Sequence, residues 1–309
     1  MSARIVVLGS LNMDFVVRVG HLPAPGETIL GRDFQMIPGG KGANQACAVG
    51  RLGGKASSAH MIGRVGYDVF ADHLKASLAA AGVDVSGVHA TKSQPTGVAL
   101  IWVDDAAQNS IVVAPGANHE MHPADVEAFR PTFRGASHVL FQLETPLGTV
   151  ERALKVAREE GAATILDPAP AHPLSRELLA QVDILTPNES EACILLGRKT
   201  VRVGREEAAA IARDLAQLGP RTVVVKLGDA GCLWWDGNNE IYAEPSRVNA
   251  VDTTAAGDTF NAALAVALSE GREPAGALRF ANAAAAISVT RAGAQASIPT
   301  RAEVDAFLA

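Results

Sequence analysis

The stretch Val251–Asn261 constrains this chain more than any other. Asp252 and Asp258 flank a turn of small residues, Thr253-Thr254-Ala255-Ala256-Gly257, and an apolar, alanine-rich run from Ala262 to Leu268 follows. The run predicts a helix with Asp258 in its first turn. The N–H groups of Ala255, Ala256 and Gly257 then point out of the helix N-terminus. Unpaired amides and the helix dipole together make an anion site. Gly257 has no Cβ, so a charged group can come close to the backbone. A carboxylate beside an anion site is costly unless it has a task. Its natural task is to take a proton from a hydroxyl that attacks a phosphoryl group held over the helix. The plain alternative is that Asp258 only caps the helix.

Elsewhere, short β-rich runs alternate with helical stretches, which argues an α/β fold with a mostly parallel sheet. The 309 residues are 48% hydrophobic and 19% charged, enough for one large core with a small appendage. A net charge of -6 argues against nucleic acid as a partner. Cys47, Cys193 and Cys232 are scattered and form no C-x-x-C, so each reads as a small core residue. The apolar stretches Thr259–Ser269 and Phe280–Thr290 are too short to span a bilayer. The first residues enter a strand without a signal-peptide layout, so a reducing cytoplasm is expected.

In an open parallel sheet, ligands collect at the carboxyl ends of strands. Asn12 and Asp14 follow the run Ile5–Leu8, two residues apart, and can share a side if the chain stays extended. They suit sugar hydroxyls, and they equally suit a turn. Glu144 ends the predicted strand Val139–Glu144, and Lys226 ends Thr222–Lys226. Beyond Lys226, Gly228-Asp229-Ala230-Gly231 is a turn at the same end of the sheet. Asn188 and Glu191 have the spacing of a helix-capping box.

Two strand pairs are too closely spaced for crossover helices: Phe15–Val19 with Thr28–Ile37, and Val98–Val103 with Ser110–Ala114. They predict a small separate sheet from insertions at about residues 15–38 and 97–114 in a single domain, 1–309. Val98, Leu100 and Trp102 alternate with Ala99, Ile101 and Val103, so both faces are apolar. One face can close over a substrate and the other can meet a second subunit.

Gly39-Gly40-Lys41-Gly42-Ala43-Asn44-Gln45-Ala46 opens a predicted helix, Ala43–Leu52. It is not a Walker A loop, because Gln35 stands where the first glycine belongs and Gly42 where Ser or Thr belongs. Close backbone approach at Gly39 and Gly40, with Asn44 one turn in, suits a small polyol, and Lys41 can steady phosphate charge.

The two glycine-containing stretches, in this order, closely resemble the two signatures of the ribokinase-type (PfkB) sugar kinases, and the resemblance covers Ile5 to Leu308. With Gly9–Asp14 and Leu143-Glu144, they are most similar to the family's ribose-phosphorylating members. The resemblance implies a three-layer sandwich with a β-sheet lid. It implies ATP-dependent phosphorylation of D-ribose at O5, or of another small sugar or a nucleoside; a silent sugar-binding protein is the reading from another class. It makes Asp258 the base, the Ala255, Ala256 and Gly257 amides an anion hole, and Lys41 a phosphate contact. Asn12, Asp14, Gly40, Lys41, Asn44 and Glu144 would hold the sugar. Asn188, Glu191, Lys226, Gly228, Asp229, Gly231, Gly257 and Asn282 would serve ATP and Mg²⁺. A monovalent cation, K⁺, would sit among Asp252, Thr254, Ser288, Arg291, Gly293 and Ser297, unless Asp252 merely pairs with Arg291. A homodimer through the lid sheet is implied as well.

Overall fold

Apolar side chains on two faces of one large sheet sort the chain into three layers. The computed structural model describes residues 2–106, 108–199 and 203–309. Its strands are β1 (Ala3–Leu8), β2 (Asn12–Arg18), β3 (Arg32–Gly39), β4 (Ser57–Gly66), β5 (Val83–Thr91), β6 (Gly97–Val103), β7 (Asn109–Ala114), β8 (Ala136–Phe141), β9 (Ala163–Leu166), β10 (Ile184–Leu185), β11 (Thr222–Lys226), β12 (Cys232–Trp235) and β13 (Glu240–Ala243). The α-helices are α1 (Lys41–Gly53), α2 (Val69–Ala80), α3 (Pro123–Ala128), α4 (Arg130–Phe133), α5 (Leu147–Glu159), α6 (Arg176–Leu179), α7 (Glu189–Leu195), α8 (Arg205–Ala216), α9 (Ala256–Ser269), α10 (Pro274–Ser288) and α11 (Arg301–Leu308).

The main sheet has nine strands in the order β13-β12-β11-β10-β9-β8-β1-β4-β5. The pairs from β11 to β5 are parallel, and β12 and β13 complete one end antiparallel. Its central strands read as continuous apolar runs, such as Ile5-Val6-Val7-Leu8, because both faces are covered. One face packs on α1, α2, α9 and α10 through Ala46, Leu52, Leu74, Leu264 and Phe280. The other packs on α3 to α8 through Phe133, Leu154, Leu178, Leu195 and Leu215. Chain order reverses between β1 and β8. Such a switch point opens a crevice at the carboxyl ends of the strands.

The second sheet has the order β3-β2-β6-β7. β2 and β3 are antiparallel, as are β6 and β7, while β2 and β6 run parallel. Both faces carry exposed apolar groups. Phe34, Met36, Leu100 and Val112 lie on one, Ile111 and Val113 on the other. Phe15 anchors the sheet to the body by an edge-on contact with Phe70 of α2, ring centroids 5.5 Å apart.

Two expectations are corrected, and one strand is new. Residues 28–31 are not strand, because β2 ends at Arg18 opposite Arg32 and leaves them nothing to pair with. The strand expected to reach Glu144 stops at Phe141, the residue opposite the last residue of β1. β5 follows α2 unannounced. Asp84, Ser86, Gly87 and His89 break its apolar pattern, which an edge strand with one partner tolerates.

Candidate active site

Two helix N-termini meet in the crevice. Gly40, at φ 88°, delivers the chain into α1, and a Cβ there would stand 2.7 Å from the Asn12 amide nitrogen. Ala255, at φ 59°, delivers it into α9. Asp258 is the third residue of α9 and is buried. Asn44 Nδ2 of α1 donates to its Oδ2 at 3.0 Å, and Gln45 Nε2 donates to its Oδ1 at 3.2 Å. Burial pushes the Asp258 carboxyl above its ordinary range. Lys41 opposes that shift and Asp167 adds to it. The group is therefore a stronger base than a surface aspartate, as proton abstraction requires.

The Ala256 amide donates back to Thr253 O at 3.2 Å, so the expectation of three open amides is corrected. The left-handed turn at Ala255 folds Ala256 onto Thr253. Among the described residues the amides of Ala255, Gly257 and Asp258 have no hydrogen-bond partner, and they form the open end of the helix.

Asn12 and Asp14 are on β2, two residues apart on one side of the strand, rather than in a loop after β1. Asn12 Oδ1 accepts from Asn118 Nδ2 at 2.8 Å. Burial, then the charges of Glu144 and Asp258, raise Asp14 to about 7. Glu144 accepts from Ser10 Oγ and, at 3.1 Å, from the Lys41 amide. Burial alone would lower the Lys41 ammonium, but Asp258, Asp167, Glu144 and Glu191 outweigh it and keep the group charged. Asn44 Oδ1 is buried without a partner among the described residues, an acceptor left for a hydroxyl.

Beyond Gly257 opens a cleft of ≈ 660 Å³. Lys226, Gly228, Asp229, Gly231, Gly257 and Asn282 are among the residues that line it. That volume suits a nucleotide-sized ligand. Asn282 Nδ2 donates to Glu244 O at 3.0 Å and ties α10 to the cleft's far wall. Lys226 Nζ donates to Asp167 Oδ1 at 2.9 Å.

The pfkB family carbohydrate kinase pattern matches residues 2–301. The chain belongs to this family. It is 42% identical over 309 residues to the ribokinase of Haemophilus influenzae, covering 100% of this chain and 99% of that one. The ribokinase structure from Thermotoga maritima superposes with a TM-score of 0.89 at 41% identity, over 99% of each chain. The ribokinase of Arabidopsis thaliana complexed with ribose and ATP gives 0.90 at 36% identity, over 100% of this chain and 99% of that one.

Kinases take ATP with Mg²⁺, so a nucleotide in this cleft implies the ion. No three His, Cys, Asp or Glu side chains cluster to chelate a metal among the described residues. A divalent ion here would draw most ligands from phosphates and water, as Mg²⁺ does. Asn188 and Glu191 form the capping box of α7, with Glu191 Oε2 accepting from the Asn188 amide at 2.7 Å. Burial raises Glu191, and Lys226 opposes the rise, so the carboxyl lies within the field of that ammonium.

Asp252 does not pair with Arg291, which donates to Glu303 at 2.5 Å. Instead Asp252 accepts from Thr254 N, Thr254 Oγ1 and Gly293 N at 2.9, 2.6 and 2.8 Å. These bonds bind the turn before α9 to the loop after α10. Ser288 O is taken by the Arg291 amide at 3.2 Å, and Ser297 Oγ donates to Ala294 O at 2.8 Å. The carbonyl oxygens of Asp252, Thr254 and Gly293 accept nothing among the described residues, so this oxygen-lined loop pair fits a hard monovalent cation.

Sequence reasoning missed Gln45, Asn118, Gln142 and Asp167. Gln142 directly follows β8 and Asp167 directly follows β9, so the strand-end rule that singled out Glu144 reaches both. Gln45 lay inside the first signature and needed the facing helix to reveal its role.

Asp14 generates a test. Its carboxyl rises from 3.8 to about 7 on folding, so folding takes up a proton between those values. Stability due to this group is intact below about pH 4, falls as pH rises, and levels off above about 7. The full penalty is ~4 kcal/mol at ~1.4 kcal/mol per pH unit. Asp14→Asn should raise Tm by several degrees at pH 8 and leave it unchanged at pH 4. Equal Tm differences at both pH values in thermal melts would contradict the assignment.

Proposed function

We propose that this chain transfers the γ-phosphoryl group of MgATP to O5 of D-ribose. The observation that carries the reading is Asp258. It is a buried, basic carboxylate at the open end of α9, between hydroxyl-recognising groups and a nucleotide-sized cleft. The Arabidopsis relative in complex with ribose and ATP supports the choice of substrates.

Asn12, Asp14, Asn44 and Glu144 hold the sugar against the backbone at Gly40. Asp14 and Glu144 accept from hydroxyls, and Asn44 accepts through the oxygen it has free. Asp258 takes the proton of O5 as that oxygen attacks phosphorus in line and the bond to the β-phosphate oxygen breaks. The Ala255 and Gly257 amides and the Lys41 ammonium stabilise charge on the phosphoryl oxygens. Glu191 and Asn188 would hold Mg²⁺ through water, where it would supply charge neutralisation to the phosphates. The lid sheet excludes water, which would otherwise compete as acceptor. The carbonyls around Asp252 would hold K⁺, and an ion there would stiffen the turn that feeds α9. Lid faces opposite Asp14, carrying Phe34, Met36, Leu100 and Val112, pair two copies into a dimer.

Asp258→Asn should lower kcat ~10²–10⁴-fold, the scale of a general base, with the fold unchanged. The check is ADP release over a panel of ribose, 2-deoxyribose, fructose, a keto-deoxy sugar acid and a nucleoside. Preference for any acceptor but ribose would overturn the substrate, and near-normal turnover by the variant would overturn the base. Replacing Na⁺ by K⁺ at fixed ionic strength should raise the rate, and identical rates would remove the cation from the loop. Sedimentation at micromolar concentration should give a dimer that Leu100→Lys converts to monomer. A monomeric wild type would refute pairing through the lid.

A further inference from the structure

One buried ion pair stands between the general base and the nucleotide cleft. Lys226 Nζ donates to Asp167 Oδ1 at 2.9 Å, with the lysine side chain 12% and the aspartate 3% exposed. Asp167 Oδ2 accepts from Gln45 Nε2 at 3.2 Å, and the same nitrogen donates to Asp258 Oδ1 at 3.2 Å. Gln45 is itself fixed, because its Oε1 accepts from Gln142 Nε2 at 2.6 Å. The chain of contacts therefore runs Gln142, Gln45, then both Asp258 and Asp167, then Lys226.

The ammonium stands 3.5 Å from where a Cβ on Gly257 would lie, so it hangs over the open amides of α9. An ammonium has three N–H groups. One is given to Asp167, and the others have no protein partner among the described residues. A lysine present only to neutralise a buried carboxylate has no need to line the cleft, yet Lys226 lines it beside Gly257.

We propose that Lys226 is a second phosphate-binding cation of this kinase, and that Asp167 is the positioning residue that holds its ammonium over the α9 amides. The inference rests on the kinase reading of the cleft and adds to it. Lys41 approaches the phosphoryl group from α1, and Lys226 approaches from the end of β11. Lys226 keeps its bond to Asp167 and gives a free N–H to a phosphate oxygen. Through Gln45, the same carboxylate fixes the orientation of the base.

The test uses Lys226→Met, Asp167→Asn and the double variant. Calorimetry without sugar reads affinity for a non-hydrolysable ATP analogue and for AMP. A lost charge-assisted hydrogen bond predicts ~10- to 100-fold weaker analogue binding by Lys226→Met, with AMP affinity and the KM for ribose unchanged. Asp167→Asn should weaken analogue binding less. It should also move the acid limb of the kcat profile to lower pH, because the charged groups facing Asp258 are Lys41, which lowers it, Asp167, which raises it, and the carboxyl of Asp14, which the variant leaves in place.

The double variant removes both charges and restores Tm, but not analogue affinity. It decides the matter if Lys226→Met alone fails to fold. Recovery of analogue affinity and kcat by a stable double variant would reduce the pair to a structural one and overturn the proposal. Equal losses for analogue and AMP would do the same. Should wild type ignore ribose while the analogue and AMP results hold, the sugar assignment falls and this one stands.

Discussion

The bond from Asn44 and Gln45 to the Asp258 carboxylate is the contact on which the rest of the site depends. A buried carboxylate with no donors would bind a proton and cease to be a base. The Lys41 ammonium opposes that most, and two side-chain amides on adjacent residues of α1 add to it without adding charge. They also fix where α1 and α9 end relative to each other. Every other functional group takes its position from one of these two helix ends.

The sheet topology makes this meeting possible. β1 and β8 lie side by side at the point where chain order reverses, so Ser10, Gln142, Glu144 and Asp167 emerge from neighbouring strand ends into one crevice. Ser10 links to Glu144, Gln142 to Gln45, and Asp167 to Gln45 and Lys226. The result is a polar layer over an apolar core. Carboxylates gather there because Lys41 and Lys226 stand among them.

Much of this was legible in the sequence, and the reasons differ by element. The order of β runs and helices pointed to an α/β fold with a mostly parallel sheet, because two-sided burial imposes continuous apolar strands, and the family resemblance supplied the three layers. The glycine turns at 39–42 and 253–257 located both helix ends. Residues 28–31 misled, because strand propensity says nothing about whether a partner exists. Asp167 and Gln45 stayed hidden, since a hydrogen bond between residues more than a hundred positions apart leaves no local pattern. The engagement of the Ala256 amide was equally out of reach, because it depends on the left-handed conformation of Ala255.

The glycines of the first turn bear on how such a site can change. A Cβ on Gly40 would fall 2.7 Å from the Asn12 amide nitrogen, and one on Gly42 2.6 Å from the carbonyl carbon of Gly9. The floor beneath the acceptor is thus main chain laid on main chain, with no side chains to exchange. A lineage drifting toward a different acceptor has to remodel the walls, at Asn12, Asp14 and the strands above them. The floor itself is closed to variation.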